Sequence, residues 1–488
     1  MRDGPWVAIS SVLWVLLLLL LQTAFIQAFI PKHCLGNISV TGGSGVCCPI
    51  PKGRFEPCGG RGIGSCEPLF VQLEPLPKHM LRDDRMHWPS HFFKHTCKCE
   101  GNHFGIACDE CWYGWEGPLC NKRHKVVRRN IFSFTPKERK MFVNIVAKTT
   151  HLRSDYVIVY EKSPIYSDPL WKPKFLDVDY QYLIAYWHEY ASRGTLYKSA
   201  EICESVQKLD NNHNVIGFAT WHRYLMLLWE RALRKIASEM YGWYDFAIPY
   251  WDWVDSTKCD VCRNDIVGAP GPWVNGIRLI HKGSPFSKWP ENCSPPKSLS
   301  KCYGCHASWP YFKPLNRHYK STEFPTTSDL QFALSRKTFY FADPIEDLLK
   351  CRGFHQALEG FCGRPGVNST SLYMHNKVHN MVAGSFCCAA TAANDPIFIL
   401  HHSQIDRILQ VWFQRYRPRP TDYPNHGVEP ANCRECNMIA FIPAVRHVDM
   451  FVDMRDLGIH YDNYDFGTRG FKGDQFIKYG SAAFVWGD

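Results

Sequence analysis

Two segments, Met374-His375-Asn376-Lys377-Val378-His379 and Asn394-Asp395-Pro396-Ile397-Phe398-Ile399-Leu400-His401-His402, place four histidines in helical register. His375 and His379 are four residues apart, about 40° around a helix, so both rings can address one point. The second segment adds two histidines at the start of an apolar helix. Asp406 follows His402 by one turn, as a candidate partner for that ring's second nitrogen. Neutral imidazole is a nitrogen donor suited to copper or zinc. A lone helical histidine usually has a structural explanation, but several converging ones point to a metal.

Working outward, four helical stripes each carry histidine among apolar residues. Tyr180, Leu183, Ile184, Trp187, His188 and Ala191 form the first; His222, Leu225, Met226, Trp229, Leu233 and Ile236 the second. Leu372, His375, His379 and Val382 form the third; His402, Ile405, Leu409, Phe413 and Tyr416 the fourth. Facing one another, they predict a mainly α fold, a four-helix bundle around a dinuclear metal site. His213 stands nine residues before His222, about half a turn out of phase. It must therefore come from the preceding loop, which Asn211, Asn212, Asn214 and Gly217 suit. Two sets of three imidazoles without carboxylates point away from a di-iron bundle, and the lack of cysteine disfavours structural zinc. Long Pro-, Gly- and Trp-rich stretches such as 264–330 are expected to pack over the bundle as irregular loops.

With 45% hydrophobic and 14% aromatic residues, the 488-residue chain can bury a large core. Its net charge of +10 is spread out with no dense Lys/Arg run, so no nucleic-acid partner is expected. Arg2, the apolar run Val12 to Leu21 and the small or polar residues to Ala28 read as a secretory signal peptide over 1–28. No later apolar stretch has spanning length, and 471–488, with Lys472, Asp474 and Lys478, is expected to be a tail without a membrane helix. Ten of the 22 cysteines fall between Cys34 and Cys120, in a segment rich in Gly and Pro. After a signal peptide such density means disulfides, including the CxxC pairs Cys108/Cys111, Cys259/Cys262, Cys302/Cys305 and Cys433/Cys436. A disulfide between Cys387 and Cys388 would restrict the rim of the site. Sequons at Asn37, Asn292 and Asn368 fit the same route, Asn292 being the weakest. Residues 29–125 are read as a small disulfide-rich domain with an EGF-like module around Cys97 to Cys120, Lys122 to Arg129 as a linker, and 126–470 as the main domain.

The chain resembles the tyrosinase family of type-3 copper proteins, in its animal form with an EGF-like head. The resemblance rests on Tyr186-Trp187-His188-Glu189-Tyr190, His213, Trp221-His222-Arg223-Tyr224 with Trp229-Glu230, Pro249-Tyr250-Trp251-Asp252-Trp253 and Cys259-Asp260-Val261-Cys262. It continues through His375-Asn376 with His379, Asn394-Asp395-Pro396-Ile397-Phe398 ending in His402, and Asp83-Asp84-Arg85 with Trp88-Pro89 in the head. It implies that His188, His213 and His222 bind one copper ion and His375, His379 and His402 the second, with dioxygen as co-substrate. His401 is not carried over as a ligand. His281, His306, His318, His355, His426 and His447 match no ligand motif and are expected to be ordinary polar or surface histidines. Asn211, two residues before His213, excludes the Cys–His thioether of some relatives.

The resemblance further implies a small phenolic substrate of the tyrosine or L-DOPA type, oxidised to an o-quinone in melanin formation. A phenol ionises only near pH 10, so hydroxylation needs a base. Glu359, in Leu358-Glu359-Gly360-Phe361, and Asn376 match the pair that holds a water for that task. Secretory-pathway localisation, extracellular or in the melanosome lumen, goes with this. One alternative is a zinc-containing tyrosinase-related protein with dopachrome tautomerase-type activity, since imidazole serves both metals. Thr220-Trp221-His222-Arg223-Tyr224 leans that way, whereas Asp252-Trp253 and the doubled His401-His402 lean to copper. A non-enzymatic alternative is a hemocyanin-like dioxygen carrier or an adhesion protein.

Overall fold

A computed structural model describes residues 29–39, 42–69, 85, 88–90, 92–159, 174–192, 210–292, 313–319, 323–341, 351–363 and 372–466. The predicted leader and tail, Asp83-Asp84, Cys302/Cys305, His306 and the Asn368 sequon lie outside these residues. The fold is mainly helical, as expected. The α-helices among the described residues are α1 (Pro136–Lys148), α2 (Tyr180–Ser192), α3 (Phe218–Tyr241), α4 (Thr327–Leu334), α5 (Phe354–Glu359), α6 (Met374–Val382), α7 (Ile397–Tyr416) and α8 (His447–Met450).

Local sequence explains where the long helices start and stop. Thr135 and Glu138 form a reciprocal capping box on α1, with Pro136 in the first turn. Gly242 ends α3 in the left-handed conformation (φ 63°), its N–H reaching Ser238 O at 2.9 Å. At the start of α7, Asp395 Oδ1 accepts the Ile397 N–H at 3.0 Å. The same carboxylate takes both arms of the buried Arg317 guanidinium, at 2.7 and 2.8 Å. Leu372, expected on the third stripe, precedes α6 and is exposed.

Helix α3 packs against α1, α2 and α7, and the short α5 packs on α3, α6 and α7. Trp221, Trp229, Trp251, Trp253 and Trp412 are fully buried in the shared core. The Cys-rich head feeds that core and keeps only a small cluster of its own, around Cys58, Ile63 and Cys108. Phe29 is buried with edge contacts to Trp88, Tyr186, Trp187 and Tyr190. Arg231 on α3 lies over Phe104 and Tyr113 and donates to Cys111 O at 2.7 Å, docking the EGF-like module.

The ten head cysteines close five disulfides. Cys108 and Cys111 do not join each other; they pair with Cys99 and Cys120, each closing a separate turn. Cys259–Cys262 and Cys433–Cys436 do close locally, and Cys387 is joined to Cys388. Asn37 is exposed, but Asn292 is buried, exchanging two hydrogen bonds with Asn394 at 2.8 and 2.9 Å. Of these two asparagines, Asn37 is the accessible one.

Two further expectations are corrected here. The stretch read as a linker contains a strand, Val126–Arg128, paired in parallel with Ile459–Tyr461, and Arg128 is fully buried. Arg128 donates to Glu230 at 2.8 Å and to Asp406 at 2.9 Å. Asp406 does not serve His402. It accepts instead from Arg128, from Arg223 Nε at 2.6 Å and from Tyr461 OH at 2.8 Å. The network therefore ties α3 to α7, because two guanidiniums buried without water need a shared anion more than a neutral ring needs an acceptor.

His355 and His447 are not surface residues. His447 is fully buried, its ring bonded to Thr220 Oγ1 at 2.7 Å and Ala431 O at 3.1 Å. Burial pushes its pKa down to about 3. Its contribution is present above the unfolded value of about 6.5 and is lost progressively as pH falls toward 3, by on the order of 1.4 kcal/mol per pH unit. His447→Gln is expected to flatten that acid slope in urea melts run between pH 7 and 5. Asp406→Asn, which leaves the buried Arg223 without a carboxylate and Arg128 with Glu230 alone, is expected to cost about 3–5 kcal/mol in the same melts. Asp422→Asn, at the exposed Arg419–Asp422 pair, is expected to cost under about 1 kcal/mol.

Candidate metal centre

Six of the sequence-predicted histidines converge in two groups. His188 from α2, His213 from the loop before α3, and His222 from the first turn of α3 form one. His375 and His379 from α6 and His402 from α7 form the other, which His401 joins. The groups face each other: the His222 and His402 rings stack with centroids 4.5 Å apart. Phe398 lies against His188 and His402, and Phe218 against His222 and His375, so aromatic walls close the space between the groups.

The outer nitrogen explains the orientation of five of the six rings. Nδ1–H of His188 donates to Ala389 O at 2.6 Å, that of His222 to Phe218 O at 2.9 Å, and that of His379 to Phe386 O at 2.6 Å. His375 Nδ1 pairs with Asn376 Oδ1 at 2.9 Å, and His213 Nδ1 with the Asp210 carboxylate at 3.2 Å. Asp210 also accepts the His213 backbone N–H at 2.8 Å, which pins the loop. His402 Nδ1 has no hydrogen-bond partner. With Nδ1 protonated, each Nε2 is left with a lone pair directed inward.

Those lone pairs meet. Nε2 of His188 and His222 are 3.2 Å apart, of His375 and His379 3.0 Å, and of His375 and His402 3.4 Å. Two acceptor nitrogens at that distance repel unless a cation lies between them. Nitrogens bound about 2 Å from one tetrahedral ion stand about 3.3 Å apart. Burial holds these rings uncharged: desolvation lowers the pKa of His188, His222, His375 and His402 well below the usual value, and that of His379 to about 3. The donor set thus fits a pair of cations with imidazole-preferring chemistry.

His401 packs against His375, His379, Phe386 and Trp253, and neither ring nitrogen has a hydrogen-bond partner. It lies at the second group only, whereas His402 reaches across to His222. Glu359, at the end of α5, is fully buried. Its Oε1 accepts the N–H of Asn214, the residue after His213, at 2.6 Å, while Oε2 has no partner. Desolvation raises its pKa well above the carboxylate range. Asn376 is half-buried beside His375. Sequence reasoning missed Asp210, Phe218 and the carbonyls of Phe386 and Ala389. Only Asp210, three residues before His213 in an Asn-rich turn, left a local signal.

A family model described as the common central domain of tyrosinase matches residues 179–415, which include all six histidines. The chain is 33% identical over 436 residues to a tyrosinase of Pelophylax lessonae, covering 85% of this chain and 78% of that one. It is 32% identical over 473 residues to a tyrosinase of Felis catus, covering 93% and 86%. The chain belongs to the tyrosinase family. It is a tyrosinase-type oxidase of the type-3 copper class, and its two histidine groups correspond to a dinuclear copper site. A second kind of relative is a 5,6-dihydroxyindole-2-carboxylic acid oxidase of Gallus gallus, 29% identical, covering 89% of this chain and 83% of that one. Among solved structures, recombinant mushroom tyrosinase gives a TM-score of 0.41 at 16% identity, covering 72% of this chain and 63% of that one. No helix among the described residues is long and apolar enough to cross a membrane.

His402→Ala is expected to reduce copper bound per chain from two ions to one, whereas His401→Ala is expected to retain two, as measured by elemental analysis after gel filtration.

Proposed function

We propose that the chain oxidises monophenols and o-diphenols of the tyrosine and L-DOPA type to o-quinones with dioxygen, feeding melanin-type products. His188, His213 and His222 would hold one copper ion, and His375, His379 and His402 the other. The observation that carries this is the opposed pair of histidine trios, five of whose six rings have Nδ1 engaged outward, which directs the Nε2 lone pairs inward. A pair of copper ions held there would supply the redox chemistry through which dioxygen acts as the oxidant.

The chain's own residues do the rest. Phe218 and Phe398 pack on His188, His222, His375 and His402 and add to the desolvation that holds these four rings neutral. Glu359 and Asn376 handle the phenol proton. Asn376 Oδ1 is committed to His375, leaving its amide N–H groups to orient a water. α5 brings Glu359 alongside α6, and Glu359 Oε2 is free to accept a proton from such a water. Its raised pKa makes the carboxylate a stronger base than an exposed one, which narrows the gap to a phenol near 10. An o-diphenol needs no ring hydroxylation and depends less on this pair. The dense disulfides support folding in the secretory pathway, with action in the extracellular space or melanosome lumen.

The test is the purified chain loaded separately with copper and zinc, then offered tyrosine, L-DOPA and dopachrome. Quinone formation from L-DOPA by the copper form alone supports the proposal. Dopachrome isomerisation by the zinc form, without oxidase activity in the copper form, overturns it in favour of a zinc tautomerase. Glu359→Gln is expected to lower monophenol turnover by about a hundredfold while largely sparing o-diphenol oxidation, read by initial-rate quinone trapping.

A further inference from the structure

The segment Phe386-Cys387-Cys388-Ala389 touches both histidine trios. The Phe386 carbonyl accepts from His379 of one group, and the Ala389 carbonyl accepts from His188 of the other, both at 2.6 Å. The Phe386 ring also stacks on His379, with centroids 4.1 Å apart and planes 22° from parallel. The two acceptors are separated in the chain by Cys387 and Cys388 alone, and those residues are disulfide-bonded to each other. A bond between adjacent cysteines closes a small ring through the intervening peptide, so the backbone joining the two carbonyls loses most of its freedom.

The ends of the segment are fixed as well. Cys387 N–H reaches Gly384 O at 3.3 Å, and Cys388 O accepts from Thr391 and Ala392 at 2.9 and 2.8 Å. Thr391 Oγ1 donates to Ser385 O at 2.7 Å, closing the loop across the disulfide. The disulfide itself is accessible: Cys388 is exposed and Cys387 half-buried.

We propose that Cys387–Cys388 is a positioning element shared by both metal positions: it sets the Phe386 and Ala389 carbonyls that orient one imidazole of each trio, and opening it loosens both ions together. This rests on the reading of the two trios as metal ligands. Opening by a dithiol transfers two electrons and two protons to the pair; the S–S bond becomes two thiols while the dithiol closes to its own disulfide. The freed peptide can then rotate either carbonyl away from its ring, and a ring that loses its Nδ1 acceptor loses its fixed tautomer and direction.

The experiment compares the copper-loaded full chain with its Cys387→Ser/Cys388→Ser variant under graded chelator, with copper per chain measured, and with the melting of both metal-free forms. The variant is expected to release both ions at chelator concentrations about tenfold or more lower, with little change in metal-free melting. Cys111→Ser/Cys120→Ser, which opens a head disulfide, is expected to leave copper retention unchanged. Retention of both ions at wild-type chelator levels, or loosening of one ion only, overturns the proposal. A wild-type chain that binds fewer than two ions overturns the ligand reading instead. Should the variant fail to fold, native wild-type protein is treated with a limiting dithiol and alkylated, and copper is measured in the fraction labelled at Cys387 and Cys388. Loss of both ions in that fraction supports the proposal, and full retention overturns it.

Discussion

Asp406 carries its carboxylate into the contact between α3 and α7, with Arg223 on one oxygen and Arg128 and Tyr461 on the other. Glu230 takes the other face of Arg128 and also the backbone N–H of Ile248. None of these charges has bulk water to fall back on, so each tolerates little displacement of its partner. Arg223 is adjacent to His222, and Asp406 is one turn from His402. Fixing the charges therefore fixes the relative depth of the two helices, and with it the stacking of the two rings that face each other across the centre. The parallel strand pair Val126–Arg128 and Ile459–Tyr461 delivers Arg128 and Tyr461 together from opposite ends of the chain.

On that frame the site solves a second physical problem. Buried imidazoles are costly if charged and adaptable if neutral, since either nitrogen can carry the proton. Carbonyls of Phe218, Phe386 and Ala389, the Asn376 amide and the Asp210 carboxylate remove that choice for five of the six rings. The resulting inward lone pairs repel one another, and that repulsion is what a pair of cations relieves. Glu359 is not among the grouped metal-ligand atoms; one of its oxygens accepts the backbone N–H of Asn214, the residue after His213.

The four histidine-bearing helices were legible because periodicity reports burial directly, and His213 was assigned to a loop because nine residues put it out of phase with His222. His188 and His222 were set together by resemblance and count, since no local pattern links residues so far apart in the chain. Arg128 was misread as part of a basic linker because charge in sequence says nothing about a partner over a hundred residues away. Asp406 was placed correctly on its helix but given the wrong partner, for the same reason: spacing predicts what a residue can reach along its own helix, not which distant group competes for it. The pairing of Cys99 with Cys108 and Cys111 with Cys120 was hidden by the closer CxxC spacing. The carbonyls that orient His188 and His379 were out of reach altogether, because every residue has one.

The central claim is that two histidine trios from four helices and one loop form one centre for two coupled copper ions. Electron paramagnetic resonance with spin counting on the Cu(II)-loaded chain tests it most directly. Two Cu(II) ions held in one centre would couple their spins, so the account predicts two copper ions per chain by elemental analysis with a spin count far below two. A full two-spin signal typical of isolated Cu(II) would contradict it.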